Sequence, residues 1–541
     1  MNEILQPMDS PEIKVAKSEF CIVMLLLALY VVANYLTIQC YPFVGFIDDV
    51  SYSDPAVNWH QGNGFTSTAW YGQPKEEIWV SNAPGHPLLL CAWIGAFGFS
   101  VPSVRMLNIV LLSLAAFVLW LSAVRGAWLK TPFCRILLVP MLITSPALVV
   151  TARMGRPDAI TVLWVATAVL AATVKSQRQR RIGFFLLGAL IPVVGFQLGP
   201  YVAVLTLVAL LVFGWRQIWR DALWTAVGIG VGLTLLLIVL VLLGSFHLAY
   251  VFLASTIASK HTSVGTVAQA ILMKNAKMEP VPEAPGFFAT IPLLYIRDKF
   301  YVMFGVLLTT FITVQWMRGK FVRSSPAVIC LLAGLLMPVC IFTAGKYPPY
   351  YGWMAFLPMI IGFIAALDQL NADRNRLPVA GGVIVFVAAM ILTPLPIVIQ
   401  VWLNKEMYDD LPIRVVVKQN VHSDDVMMCD WAAYYAAKPL AKQLYMCGRG
   451  ATPDDLTGYS GGKLYPEMSK EEKESISLLI IRPELLGPVI KRIGGDWKEV
   501  DPGFSVGEFR GGQWLHDYLD VKRSWAHPYH FGLRAYRRSE D

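Results

Sequence analysis

The chain has 541 residues, of which 56% are hydrophobic and 15% charged, with a formal net charge of +8. Soluble domains carry about 25% charged residues, so this composition excludes an ordinary soluble enzyme and points to a polytopic membrane protein. The positive charge does not argue for a nucleic-acid partner. The Lys and Arg residues sit mostly in short loops between apolar runs, where membrane topology accounts for them.

Residues 1–19 are polar, with Lys14 and Lys17, and Phe20–Gln39 is then uncharged and about long enough to cross a bilayer. Ile38-Gln39-Cys40 offers no small-x-small cleavage site, so the segment reads as a retained signal anchor. Further uncharged runs follow at Met106–Val124, Ile136–Ala152, Ala159–Val174, Ile182–Gly214, Ala222–Phe246, Phe300–Met317, Ser324–Gly345, Tyr347–Leu367 and Leu377–Leu403. Ile182–Gly214 is too long for one span, and Gly195, Gly199 and Pro200 divide it. The expected architecture is a polytopic α-helical membrane protein of about 11 transmembrane helices at roughly 20 residues each.

With the N-terminus cytoplasmic, alternate connections carry Arg125, Lys130 and Arg135, then Lys175, Arg178, Arg180 and Arg181, then Arg216 and Arg220, then Arg318, Lys320 and Arg323, then Arg374 and Arg376. All fall on one side, as the positive-inside rule requires. The other side receives a first outer loop over 41–103, the turn Arg153–Asp158, a long lid-like loop over 247–299 rich in proline, and everything after 403. We therefore expect residues 1–403 to be a transmembrane domain and 404–541 a soluble extracytoplasmic α/β domain. Within the latter, Ile413–Val417, Val426–Met428 and Ser477–Ile481 read as strands and Pro483–Ile493 as a helix. The eight cysteines show no Cys-x-x-Cys and no His/Cys cluster, so no zinc site is expected. Cys429 and Cys447 lie in the exported part, where a disulfide and two free thiols are both open.

The most informative stretch is Phe46-Ile47-Asp48-Asp49-Val50-Ser51-Tyr52, continuing through Ala56, Gly62, Gly64 and Phe65. Adjacent carboxylates at a membrane edge are costly unless they have a partner or a task. Asp-Asp-x-x-Tyr-x-x-x-Ala followed by Gly-x-Gly-Phe resembles the opening of the polyprenyl-phosphate-sugar glycosyltransferases of the GT-C class. That family includes the protein O-mannosyltransferases and the lipid A aminoarabinose transferase. Two further motifs add to the resemblance. Arg153-Met154-Gly155-Arg156-Pro157-Asp158 is similar to the family's Arg-x-Asp turn, although Pro157 and Asp158 also suit an ordinary helix start. Lys346-Tyr347-Pro348-Pro349-Tyr350-Tyr351, with Pro358 beyond, is similar to its Lys…Tyr-Tyr…Pro stretch, although a lone Lys346 would also read as a lysine snorkelling to the interface. His86, in Ala83-Pro84-Gly85-His86-Pro87, and Arg105, opening the second span, occupy places where relatives carry comparable motifs, although His86 also reads as an ordinary surface histidine. Asp49 stands where the family usually has Glu, and the C-terminal part carries no resemblance.

The resemblance implies a GT-C-like membrane fold and an inverting transfer of a sugar from a polyprenyl-phosphate donor to an extracytoplasmic acceptor, which is a cell-envelope glycan, a lipid or a protein. It implies Asp48 as the catalytic base. Asp49, Tyr52, His86, Arg105, Asp158, Tyr350 and Tyr351 are implied as substrate-binding, and Lys346, Arg153 and Arg156 as holding the lipid phosphate. No cofactor is required by this chemistry, and dependence on a divalent metal stays open. The expected location is the inner (plasma) membrane, among membrane lipids, with the site on the extracytoplasmic face. The rival reading is a transporter or flippase. Against it, the charges gather at one face rather than at the midplane, where transporter sites lie.

Overall fold

Lys17–Tyr35 (α1) opens a mostly helical chain whose architecture is taken from a computed structural model. The structure describes residues 15–39, 47–69, 75–80, 82–145, 147–149, 151–246, 287–296, 299–344, 351–372, 401–447, 468–504, 510 and 532–539, with a few isolated positions between 380 and 399. The anticipated first outer loop contains two helices, Ile47–His60 (α2) and Gly85–Phe97 (α3). Then come Val101–Arg125 (α4), Pro132–Ile143 (α5), Asp158–Ala172 (α6), Gln177–Val194 (α7), Leu198–Phe213 (α8) and Trp215–Leu242 (α9). Lys299–Met317, Pro326–Ala344 and Trp353–Ala372 complete the described long helices.

Six described helices are long and apolar enough to cross a membrane: Lys17–Tyr35, Val101–Arg125, and the segments Ile218–Leu242, Phe300–Met317, Pro326–Thr343 and Trp353–Asn371. The runs expected at Ile136–Ala152, Ala159–Val174 and the two halves of Ile182–Gly214 form α5, α6, α7 and α8, of 12, 15, 18 and 16 residues. The run at Leu377–Leu403 lies largely outside the described residues, as do most of the 247–299 loop and both Lys346 and Tyr350.

Local chemistry sets several boundaries. Ser100 caps α4 by accepting from the Ser103 amide, and Pro102 sits in the first turn, where its missing N–H costs nothing. The long run breaks where its glycine lies: α7 stops at Val194, Gly195–Gln197 turns the chain, and Pro200 falls in the first turn of α8. Helices α7 and α9 lie unusually close. A β-carbon on Gly188 would collide with the Thr225 carbonyl, and one on Gly228 or Gly232 with the carbonyls of Phe185 or Ala189. Gly228 and Gly232 form the small-x-x-x-small spacing that lets helix backbones touch in a bilayer.

Buried polar locks tie the end of the bundle that carries the basic loops. Arg135 grips Glu19 with two parallel hydrogen bonds, Nε to Oε1 at 2.8 Å and Nη2 to Oε2 at 2.7 Å, both side chains 2% exposed. Trp120 Nε1 also donates to Glu19. Asp368 accepts from the amides of Lys130 and Thr131 and from the Thr131 hydroxyl. Arg135, the third basic residue of the α4–α5 connection and the one inside α5, is thus a structural partner of α1.

The C-terminal part forms a five-stranded sheet from Val426–Cys429 (β1), Gln443–Met446 (β2), Leu478–Ile481 (β3), Trp497–Asp501 (β4) and Arg534–Arg538 (β5), in the order β2-β1-β3-β5-β4. The first three strands run parallel, and β5 is antiparallel to both β3 and β4. The stretch Ile413–Val417, expected as a strand, is instead inside the helix Leu411–Asn420. Its three adjacent valines favour a strand locally. The burial of Ile413, Val416 and Val417, spaced i, i+3, i+4, has the period of a helix, and Pro412 sits in its first turn. Cys429 and Cys447 are both free. Cys429 packs with Met427, Leu444 and Met446 on one face of the sheet, and Cys447 with Met428 and Tyr445 on the other. The period-two alternation of strand side chains therefore points the two thiols apart.

Candidate active site

Helix α2 carries Asp48 and Asp49 in its first turn, where carboxylates oppose the positive end of the helix dipole. Adjacent helical positions diverge by about 100°, so the two face different surroundings. Asp49 is fully buried. Its Oδ2 accepts from Arg105 Nε at 2.9 Å and Nη2 at 2.6 Å, and its Oδ1 accepts from the Gly155 amide. Arg105, also fully buried, spends Nη1 on the Ile38 carbonyl at 3.0 Å. Gly155 has to be glycine, because a β-carbon there would press on Val104 and lie 3.3 Å from Asp49 Oδ1. Asp49 and Arg105 together clamp α2, α4, the end of α1 and the turn after α5.

Asp48 remains 26% exposed and forms an ion pair with Arg156, which is 3% exposed. Arg156 Nε donates to Asp158 Oδ2 at 2.9 Å, and Asp158 Oδ1 accepts from Trp353 Nε1 at 3.0 Å. The line Trp353–Asp158–Arg156–Asp48 thus fixes one solvent-reaching carboxylate from a buried charge pair.

Asn108, one turn along α4 from Arg105, joins these pieces. Its Nδ2 donates to the carbonyls of Met154 and Arg156. With both amide hydrogens spent, its Oδ1 accepts from His86 Nε2 at 3.1 Å, which puts the imidazole proton on Nε2. Burial pushes His86 down to about 4, against the opposing effect of the Asn108 bond. The ring is therefore neutral near pH 7. A His with a depressed folded-state pKa binds fewer protons than the unfolded chain between its folded and ordinary values, so stability falls as pH drops from about 6.5 to about 4. The loss is on the order of 3 kcal/mol across that window. Thermal unfolding in detergent should show it, and His86→Gln, which keeps a donor but does not titrate, should flatten it. An unchanged acid profile in His86→Gln would assign the lability elsewhere.

Tyr52, one turn after Asp48, is buried, accepts from Asn82 Nδ2 at 2.6 Å, and meets Trp79 and His86 edge-on at 6.3 and 6.0 Å. Asn82 also lines an apolar cavity of about 860 Å3, walled by Trp59, Phe65, Trp79 and Leu88 on one side and by Leu236 and Leu240 of α9 on the other. The structure therefore gathers Asp48, Asp49, Tyr52, His86, Arg105, Arg156 and Asp158 in one place. Arg153 stands apart, donating to Asn34 Oδ1 and Thr37 Oγ1 at the end of α1, each at 2.8 Å. Tyr351 is half-buried against the main core. Lys346 and Tyr350 fall outside the described residues.

One group escaped the sequence reading. Asp54, the third carboxylate of α2, is completely buried. Its Oδ2 accepts from Ser67 Oγ at 2.8 Å and the Thr68 amide at 2.9 Å. Its Oδ1 accepts from Tyr434 OH at 2.8 Å and lies 2.9 Å from Lys438 Nζ. Burial opposes its ionisation, but Lys438, with Tyr434 and Ser67, holds the carboxyl below its usual range. Lys438 Nζ donates to Asn58 Oδ1 at 2.6 Å, and Gln61 Nε2 to the Lys438 carbonyl at 3.0 Å. Tyr435 stacks on Phe99 at 5.4 Å. The sheet-bearing part is thereby keyed to the far side of α2. The only signal in the sequence was a third acid in the same short helix.

No family model matches the chain, and no curated protein matches it. Among solved structures it is similar to ArnT from Cupriavidus metallidurans bound to undecaprenyl phosphate, with a TM-score of 0.57 at 13% identity over 96% of this chain and 98% of that one. ArnT in the apo state aligns with a TM-score of 0.43 at 11% identity over 95% and 98%. An Archaeoglobus fulgidus oligosaccharyltransferase tethered with an acceptor peptide aligns with a TM-score of 0.47 at 13% identity over 92% and 74%. The first of these shows a shared fold, and it is the fold of the glycosyltransferase class that the α2 motif resembles.

Proposed function

We propose that the chain is a membrane glycosyltransferase that moves a sugar from a polyprenyl-phosphate donor to a hydroxyl of an extracytoplasmic acceptor, with inversion. The observation that carries the reading is the division of labour within α2. Asp49 is spent on Arg105 and Gly155, while Asp48 alone keeps an exposed edge, oriented by Arg156. Asp48 takes the proton as the acceptor oxygen attacks the anomeric carbon. The bond from that carbon to the phosphate oxygen breaks, and polyprenyl phosphate leaves with the electron pair, needing no proton from the protein. The apolar cavity beside Asn82 has the lining and size for the first isoprene units of such a donor. Of the basic residues that the resemblance implies for the phosphate, Arg156 lies beside Asp48 and Arg153 is spent on the end of α1, so Arg156, with Lys346, would meet the phosphate. His86 and Tyr52 border the reacting groups, and the C-terminal sheet holds α2 from behind.

The test is direct. Purified protein, offered a panel of polyprenyl-phosphate sugars and a mixture of envelope acceptors, should release free polyprenyl phosphate from at least one donor. Release that equals the protein-free control across the panel would overturn the reading.

A further inference from the structure

At the end of the bundle that carries the basic loops, α6, α7, α8 and α9 enclose a second cavity, of about 500 Å3. It is separate in lining from the cavity beside Asn82. Its walls are the ends of those helices, through residues such as Trp164, Ala168, Phe184, Leu205 and Ala209. Two charged side chains interrupt this apolar surface, Arg180 of α7 and Asp221 of α9. They lie 3.0 Å apart, Nε to Oδ2, and are 30% and 20% exposed. The pair does not satisfy itself. Arg180 Nε is spent on Asp221 Oδ2, whereas Asp221 Oδ1 is shielded from solvent and has no hydrogen-bond partner among the described residues. A shielded carboxylate oxygen left open beside an apolar space is costly unless a ligand or water completes it.

A ligand that completes the site must offer a donor to Asp221 Oδ1 and an anion to the partly exposed Arg180 guanidinium, and must carry an apolar tail to fill the space behind. The surroundings add the sign of the charge. Lys175, Arg178, Arg181 and Arg220 lie on the same helix ends, and Asp221 is the acid among them. Basic clefts between transmembrane helices at this level attract lipid phosphates. We propose that this cavity binds a glycerophospholipid from the adjacent leaflet. An acyl chain occupies the interior, the phosphate meets Arg180, and a donating head group, an ammonium or a glycerol hydroxyl, meets Asp221. The site is independent of the sugar-transfer reading, because none of its residues belongs to the α2 cluster.

Protein purified whole in mild detergent should retain a phospholipid through detergent exchange, seen by native mass spectrometry and identified by extraction. Arg180→Gln should weaken retention by about tenfold or more, the effect of losing one charge-assisted hydrogen bond. Ala209→Phe should displace the lipid by filling the space of its chain. Arg180 is partly exposed, so its variant keeps the test valid should Ala209→Phe fold poorly. Glycerophosphoethanolamine, which has the head group and no chains, should not compete. Wild-type retention no greater than that of both variants would overturn the proposal, and so would competition by the chain-free head group equal to that of the intact lipid.

Discussion

Asp48→Asn should lower the rate of polyprenyl phosphate release by about 10²–10⁴-fold, the range expected for loss of a general base. The geometry makes this a clean substitution. Asn has nearly the same shape, and its amide oxygen can still accept from Arg156. Arg156 keeps its charge-assisted bond to Asp158, so no buried cation is orphaned. The protein should therefore fold and melt as the wild type does, and the deficit should appear in turnover rather than in stability. Asp49→Asn is the instructive comparison. It leaves the buried Arg105 guanidinium without its anion, so its first effect should be on folding. Normal turnover in Asp48→Asn protein would remove Asp48 from the role of base.

Lys438→Met should destabilise the protein by about 3–5 kcal/mol, the typical cost of stranding one partner of a buried ion pair. Asp54 is completely buried and Lys438 side-chain exposure is only 6%, so water cannot replace the lost ammonium. Asn58 Oδ1 loses its donor in the same step. The exposed pair Lys470–Glu474, with side chains 87% and 59% exposed, is the internal control, and breaking it should cost about 0.3–0.5 kcal/mol. Adding Asp54→Asn to Lys438→Met should recover part of the loss, because it removes the stranded charge. Chemical unfolding in detergent measures all three. Hydrogen exchange over α2 should rise in Lys438→Met, because that helix is held between Arg105 on one side and Lys438 on the other. A loss below about 1 kcal/mol with unchanged protection of α2 would show that the sheet does not hold the helix.

Much of this molecule is legible without coordinates wherever the relevant physics is local. Apolar run length and the one-sided loop charges establish a membrane protein, because the bilayer acts on each segment separately. The break at Gly195 and the helix start at Pro157-Asp158 are likewise properties of a few neighbouring residues. Ile413–Val417 marks the limit of that approach. Three adjacent valines read as a strand, and only the packing of Ile413, Val416 and Val417 on one side selects the helix.

The site depended on contacts that no window contains. Asp48 and Asp49 are equivalent as letters. Which one stays open was decided by the side of α2 on which Arg105 and Gly155 lie, 56 and 106 residues away. Arg153 and Arg156 read as a pair in the turn, yet one bonds α1 and the other bonds Asp48 and Asp158. Asp54 was invisible as a junction because its hydroxyl partner Tyr434 is 380 residues along the chain. Composition and spacing thus determined the membrane class and the stretch that carries the acids, which reads as a loop and is a helix. Tertiary packing alone decided which acid is solvated, because burial and counter-charge are set by segments that meet only after the chain has folded.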